Sequence, residues 1–242
     1  LSRPPVDPQT QHAESVADAK RLMRLARLGA IATLEPETGA PLTTLVGVAS
    51  DFDGAPIFLM STLSRHTKHL MNDPRASLLL TGEPERGDPL NHPRVTLSGR
   101  IEKTQAPSAR RRYLQRNPKA KLYADFGDFA FFRLAIEGVH FNGGFGRAAS
   151  LEPGDILSSS EGQAALTEAE PRVIDEINAR GDDAVARLAG RKSSGRRVWR
   201  AIGLDGDGLD LSAGARVARL QFATPAHDDA SWRARIEEAI GG

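Results

Sequence analysis

From residue 30 onward the chain breaks into short apolar runs, each closed by a turn signal, and this pattern constrains the fold most. AlaIleAlaThrLeu (30–34), ProLeuThrThrLeuValGlyValAla (41–49) and AlaProIlePheLeuMet (55–60) are separated by GluProGluThrGly and AspPheAspGly. Runs of this kind, bounded by Gly, Pro and Asp, read as antiparallel strands joined by turns. AlaSerLeuLeuLeuThr (76–81), ArgValThrLeuSerGlyArgIleGlu (94–102), PheAlaPhePheArgLeuAlaIle (129–136) and ValHisPheAsn (139–142) continue the series. Helical patterns are too few to place a crossover helix between successive strands, so a small barrel or sandwich is expected rather than a parallel sheet.

Helices flank the strands. Val16, Ala19, Met23 and Ala26 predict a helix over 14–28, with Ser15 and Asp18 as a capping box and Gly29 as its C-cap. Pro4, Pro5 and Pro8 make residues 1–13 a loose tail. Pro107 opens a helix over 107–116, and a short one follows at 118–125. The composition of 152–163 is that of a linker. Beyond it Thr167 and Glu170 read as a capping box for a helix reaching Leu188, three strands span 197–222, and a last helix covers 229–240. The fold class is therefore α+β, with one domain over 1–155 and a small α+β domain over 164–242.

Composition excludes several functions. The 242 residues hold no Cys, which rules out disulfides, thiolate metal sites and cysteine catalysis. With 32 Lys+Arg against 31 Asp+Glu, no strong field draws the chain to nucleic acid or anionic lipid. No apolar stretch approaches a membrane span, and the Pro-rich start is unlike a signal peptide, so a cytoplasmic protein with no nucleic-acid or membrane partner is expected.

One cluster points to binding. Ser61, Thr62, Ser64, Arg65, His66, Thr67 and Lys68 stand where a strand ends and a helix begins, and that helix stops at Asp73-Pro74. A helix start carries unpaired N–H groups and partial positive charge; hydroxyls, a guanidinium and an ammonium added there make a site for a dianionic phosphate. The plainer reading is an N-cap Ser before a solvated helix face.

The order of these pieces, from the ThrThrLeuVal strand through SerThrLeuSerArgHisThrLys and AspProArgAlaSer to ArgValThrLeuSerGly, resembles the FMN-binding split β-barrel family related to pyridoxamine 5′-phosphate oxidase. GlyGlyPheGlyArgAla (143–148) and the appended α+β domain resemble its HugZ-like haem-utilisation branch. The resemblance implies that Ser61, Thr62, Ser64, Arg65, Thr67 and Lys68 surround the FMN phosphate and ribityl chain. It places Thr43 and Thr44 on the strand lining the flavin, and His66 and Arg94 where the oxidases carry a Lys and a Gln. It also implies a homodimer with the flavin at the interface. The expected function is a flavin-dependent oxidoreductase of unidentified small-molecule substrate. The alternative is a haem-binding or haem-degrading protein with His140 or His227 as axial ligand. A further alternative is a non-enzymatic binding or regulatory barrel. Val48 stands where the oxidases have a substrate-binding Lys, no Arg-x-His pair closes the barrel, and AsnAlaArgGly (178–181) replaces an Asn-x-Asp-His element.

Other features have plain explanations. His66 and His69 share a helix at a spacing that metal sites use, but no third ligand accompanies them. AspGlyAspGlyLeuAsp (205–210) reads as a hairpin turn, with Arg216 where a calcium loop needs Glu. ArgArgArg (110–112) reads as a solvated helix face. Tyr113, Tyr123 and the Phe residues at 126–132 read as core. GlyGlyPheGly is either a tight turn needing positive φ or a loop over the flavin or haem face.

Overall fold

The structure is a computed structural model that describes residues 7–82, 87–144, 147–159, 162–193 and 197–241. The first helix, α1 (Pro8–Leu25), begins six residues earlier than the periodicity predicts. Proline is tolerated in the first turn, where its missing N–H has no helical partner, and the Asp7 carboxylate accepts from the Thr10 N–H at 3.0 Å. The predicted capping box is overturned, because Ser15 lies inside α1 and its Oγ donates to the Gln11 carbonyl. Gly29 is not a C-cap: the helix ends at Ala26 and Gly29 is in the next strand.

The expected strands form, in order, β1 (Leu28–Leu34), β2 (Pro41–Gly47), β3 (Ala49–Ser50), β4 (Pro56–Ser61), β5 (Arg75–Thr81), β6 (Arg94–Lys103), β7 (Phe129–Asn142) and β8 (Ala148–Leu151). They make one antiparallel sheet in the order β2-β1-β5-β6-β7-β4-β3, with β8 on β7. The fold is thus α+β, a curled split barrel flanked by helices. Ile31, Leu78, Leu80, Val95, Leu97, Phe58 and Phe141 point inward and meet Ala19, Leu22 and Met23 of α1 in one apolar core. Alternate residues of each strand face outward, which is what period-two patterning requires.

The runs 129–136 and 139–142 are one strand. The register of β6 on β7 slips between Ser98 and Gly99, leaving Glu137 as the extra residue of a bulge. A Cβ on Gly99 would lie 2.0 Å from the Ala135 carbonyl oxygen, so only glycine lets the strands stay paired there.

Between β4 and β5 lies α2 (Arg65–Asn72), and after β6 comes α3 (Pro107–Arg116), both within the predicted limits. The segment expected as a helix over 118–125 is a shorter 3-10 turn, Pro118–Leu122. Of the aromatic residues read as core, Tyr113 and Phe132 are buried, but Phe126 is largely exposed.

The predicted linker is partly helical, with α4 (Pro153–Ile156) held by a Glu152–Asp155 capping box. The next helix, α5 (Gln163–Ala179), starts at Gly162, so Thr167 and Glu170 are interior residues and not a capping box. It breaks at Arg180-Gly181, and α6 (Asp182–Leu188) follows. Then β9 (Arg200–Asp205), β10 (Gly208–Ala213) and β11 (Arg216–Gln221) form a three-stranded antiparallel sheet closed by α7 (Asp229–Gly241). Asp205 to Gly208 is the hairpin turn that the Asp-Gly pairs predict. This unit has its own apolar core around Leu166, Ile174, Leu204, Leu211 and Trp232.

Two features bind this unit to the barrel. Phe52, from the AspPheAspGly turn, is buried in the C-terminal core with its ring centroid 6.3 Å from that of Trp232. The second is ionic and corrects the reading of the arginine run. Arg112 is buried and pairs with Glu170, which also accepts from Arg111 at 2.6 Å. Arg116, one turn on, bonds Asp210 at 2.7 Å and the Arg24 carbonyl at 2.6 Å. Arg24 and Arg219 lie 3.0 and 2.7 Å from Asp205. Within the run, Arg112 is buried against the C-terminal unit and Arg111 reaches it half-buried, while Arg110 is exposed and pairs with Asp125 as a solvated face predicts.

Candidate functional site

The bend from β4 into α2 holds most of the predicted site. Ser61 Oγ donates to Asp128 Oδ2 at 2.6 Å, and the Thr62 N–H donates to the Asp128 carbonyl at 2.7 Å. Ser64 is the N-cap residue of α2; its Oγ donates to the Ser61 carbonyl and lies 2.8 Å from Thr67 Oγ1. Thr67 is buried. The hydroxyls of Ser64 and Thr67 are therefore bonded within the bend itself, and that of Ser61 donates to Asp128. Arg65 is 71% exposed and reaches Glu35 at 3.5 Å, and Lys68 is exposed.

The histidines of α2 pin it to the first hairpin. His66 Nδ1 is 3.1 Å from Thr44 Oγ1, and the buried His69 Nδ1 is 3.2 Å from Thr33 Oγ1. Burial, and then the charge of His69, lowers the pKa of His66 and so favours its neutral form. The two rings thus engage separate threonines. Among the described residues no three His, Asp or Glu side chains converge as metal ligands.

Thr43 and Arg94 belong to a different surface. Thr43 lies in the outward row Thr43–Ala32–Ser77–Ser98. The Arg94 guanidinium bonds the Leu90 and His92 carbonyls, at 2.9 and 3.3 Å, and so ties down the loop before β6. The structure thus gathers Thr44 and residues 61–68 at one corner and leaves Thr43 and Arg94 on the sheet's outer side. His227 is exposed in the turn before α7. Gly143 and Gly144 follow β7, with φ +107 at Gly144 as a tight turn needs; Phe145 and Gly146 lie outside the described residues.

The outer side of the sheet carries a site that the sequence reading did not assemble. Register places Leu45, Ala30, Leu79, Thr96 and His140 in one row across five strands. Leu45 is 68% and Leu79 37% exposed, and His140 is exposed with no side-chain partner among the described residues. The next row, from Thr43 to Ser98, is of small side chains. The result is an outer face that sets two exposed leucines among small side chains and one imidazole. His140 was visible in the sequence as a candidate; its apolar neighbours were not, because they come from strands up to 95 positions away.

A curled antiparallel sheet with a strand-to-helix corner on one side and an open outer face on the other defines a split β-barrel protein. More narrowly, the chain belongs to the family described as CREG, beta-barrel, whose model matches residues 9–158. It is 40% identical over 131 residues to the non-canonical heme oxygenase HOZ, chloroplastic, of Arabidopsis thaliana. That match covers 52% of this chain and 39% of the relative's length. A solved structure of a protein of unknown function from Agrobacterium tumefaciens is 32% identical with a TM-score of 0.82, covering 98% of this chain and 100% of that one. A heme binding protein from Mycobacterium smegmatis is 27% identical with a TM-score of 0.54, covering 100% of this chain and 98% of that one. Among the described residues no helix is long and apolar enough to cross a membrane.

Proposed function

We propose that the protein binds haem on the outer face of its barrel sheet and acts in haem utilisation as a homodimer. The likeness to a heme oxygenase and, along the whole chain, to a heme binding protein carries this reading. The chemistry of the face suits the ligand. A porphyrin is a broad apolar ring whose iron takes an imidazole nitrogen. Leu45, Leu79 and Ala30 supply apolar contacts, and His140 supplies the imidazole. Exposed leucines on a sheet face also favour burial against a second copy, which would enclose the ring between two protomers.

A flavin-dependent oxidoreductase is the second reading, supported by the exposed cations Arg65 and Lys68 beside the hydroxyls of the bend. One experiment separates the two. Haemin titrated into the purified chain should give a saturable Soret band, shifted or lost in His140→Ala. FMN should bind without quenching of its fluorescence only if the flavin reading is wrong in its stacking geometry, and should not bind at all if haem is the ligand. Quenched, saturable FMN binding without a haemin response would reverse the order of the readings. The dimer is tested by light scattering: Leu45→Glu with Leu79→Glu should halve the particle mass.

A further inference from the structure

A cleft of about 880 Å³ lies where α1, the start of β1 and the end of β5 meet the C-terminal unit. Its volume falls within the range of small-molecule sites. Leu22, Leu28 and Val217 give it apolar walls, and Leu28 is 59% exposed. Three arginines, Arg21, Arg27 and Arg191, are among the lining residues. The acid on the lining, Asp18, is already engaged by Arg147 at 3.1 Å. Neither Arg21 nor Arg191 makes a side-chain bond or ion pair with any described residue. Arg27 donates to the Ala215 carbonyl at 3.0 Å, which orders the side chain without neutralising it. A cleft with apolar patches and three cations that no acid in it neutralises is complementary to a molecule with an apolar body and an anionic end.

We propose that this cleft is a ligand site for small amphipathic anions, carrying carboxylate or sulfonate groups. Arg21 and Arg191 bind the anion, and Arg27 positions it while holding the turn of the C-terminal sheet. The site is distinct from the sheet face that bears His140, and the proposal stands whether or not that face takes haem. Its recessed walls, built from two units of the chain, favour a free small molecule over a lipid surface.

The probe is 8-anilinonaphthalene-1-sulfonate, titrated into the full chain and followed by fluorescence. One saturable site is expected. Arg21→Ala with Arg191→Ala should weaken it by about tenfold or more, since each removes a charged hydrogen bond. Arg21→Lys with Arg191→Lys should retain most of the affinity. Laurate should displace the dye and dodecanol should not. Unchanged affinity in the double alanine variant, or equal displacement by dodecanol, overturns the proposal. Loss of the dye in His140→Ala would place it on the sheet face and also overturns it. Co-sedimentation with phosphatidylserine-containing vesicles, abolished by the double alanine variant, would make this a membrane surface and overturn it as well.

Discussion

The interior of the barrel and the junction beneath it are both buried, yet they are built from opposite chemistry. Inside the barrel, Leu78, Leu97, Val95 and Phe58 pack with no charge among them. At the junction Arg24, Arg112, Arg116 and Arg219 meet Glu170, Asp205 and Asp210, all of them nearly inaccessible. Apolar packing tolerates many partners of similar volume, whereas a buried ion is tolerable only beside its own counter-ions. The barrel core therefore supplies stability, and the junction specifies how the C-terminal sheet sits on α1 and α3.

The sharpest way to break that contrast is at Asp205, which touches Arg24, Arg112 and Arg219. Asp205→Ala should cost about 3–5 kcal/mol in urea unfolding, because it strands buried guanidinium groups. A loss of a few tenths would show that water reaches the junction. In the barrel, Leu97→Ala should cost about 3 kcal/mol through lost packing and a cavity.

The two losses should differ in their response to pH. Burial opposes ionisation of Asp205, but the charges of Arg219, then Arg24, outweigh it and hold the carboxyl well below the usual range. An unfolded Asp titrates near about 3.9, so the junction contributes fully above about pH 5 and fades as pH falls toward the folded value. The stability gap between the natural chain and Asp205→Asn should accordingly shrink between pH 5 and pH 2.5, while the Leu97→Ala gap stays level. Parallel gaps would refute the charge account. The smallest effect belongs to Arg172, which bridges Glu176 and Asp229 on the surface. Arg172→Ala should be nearly silent by thermal unfolding, and wholly so in high salt, since exposed pairs are screened.

The candidate sites divide along the same line. The bend at Ser61–Lys68 was legible because its residues are consecutive and the strand-to-helix change shows in their pattern. The sheet face was not, because Leu45, Leu79 and His140 become neighbours only through pairing across intervening strands. The cleft was further from view still, as Arg21 and Arg191 are joined by no local pattern.

Local periodicity and turn chemistry determined the strands, the limits of α2 and α3, and the hairpin at Asp205–Gly208. These depend on residues a few positions apart, and the sequence displays them directly. Tertiary structure alone decided that Phe52 leaves its turn for a second core, that Arg112 is buried although the run 110–112 reads as solvated, and that Arg116 is buried one turn on. The reason is that burying a charge depends on where its counter-charge arrives. Glu170 comes to Arg112 from 58 residues away and Asp210 to Arg116 from 94, distances over which only the folded chain brings them together.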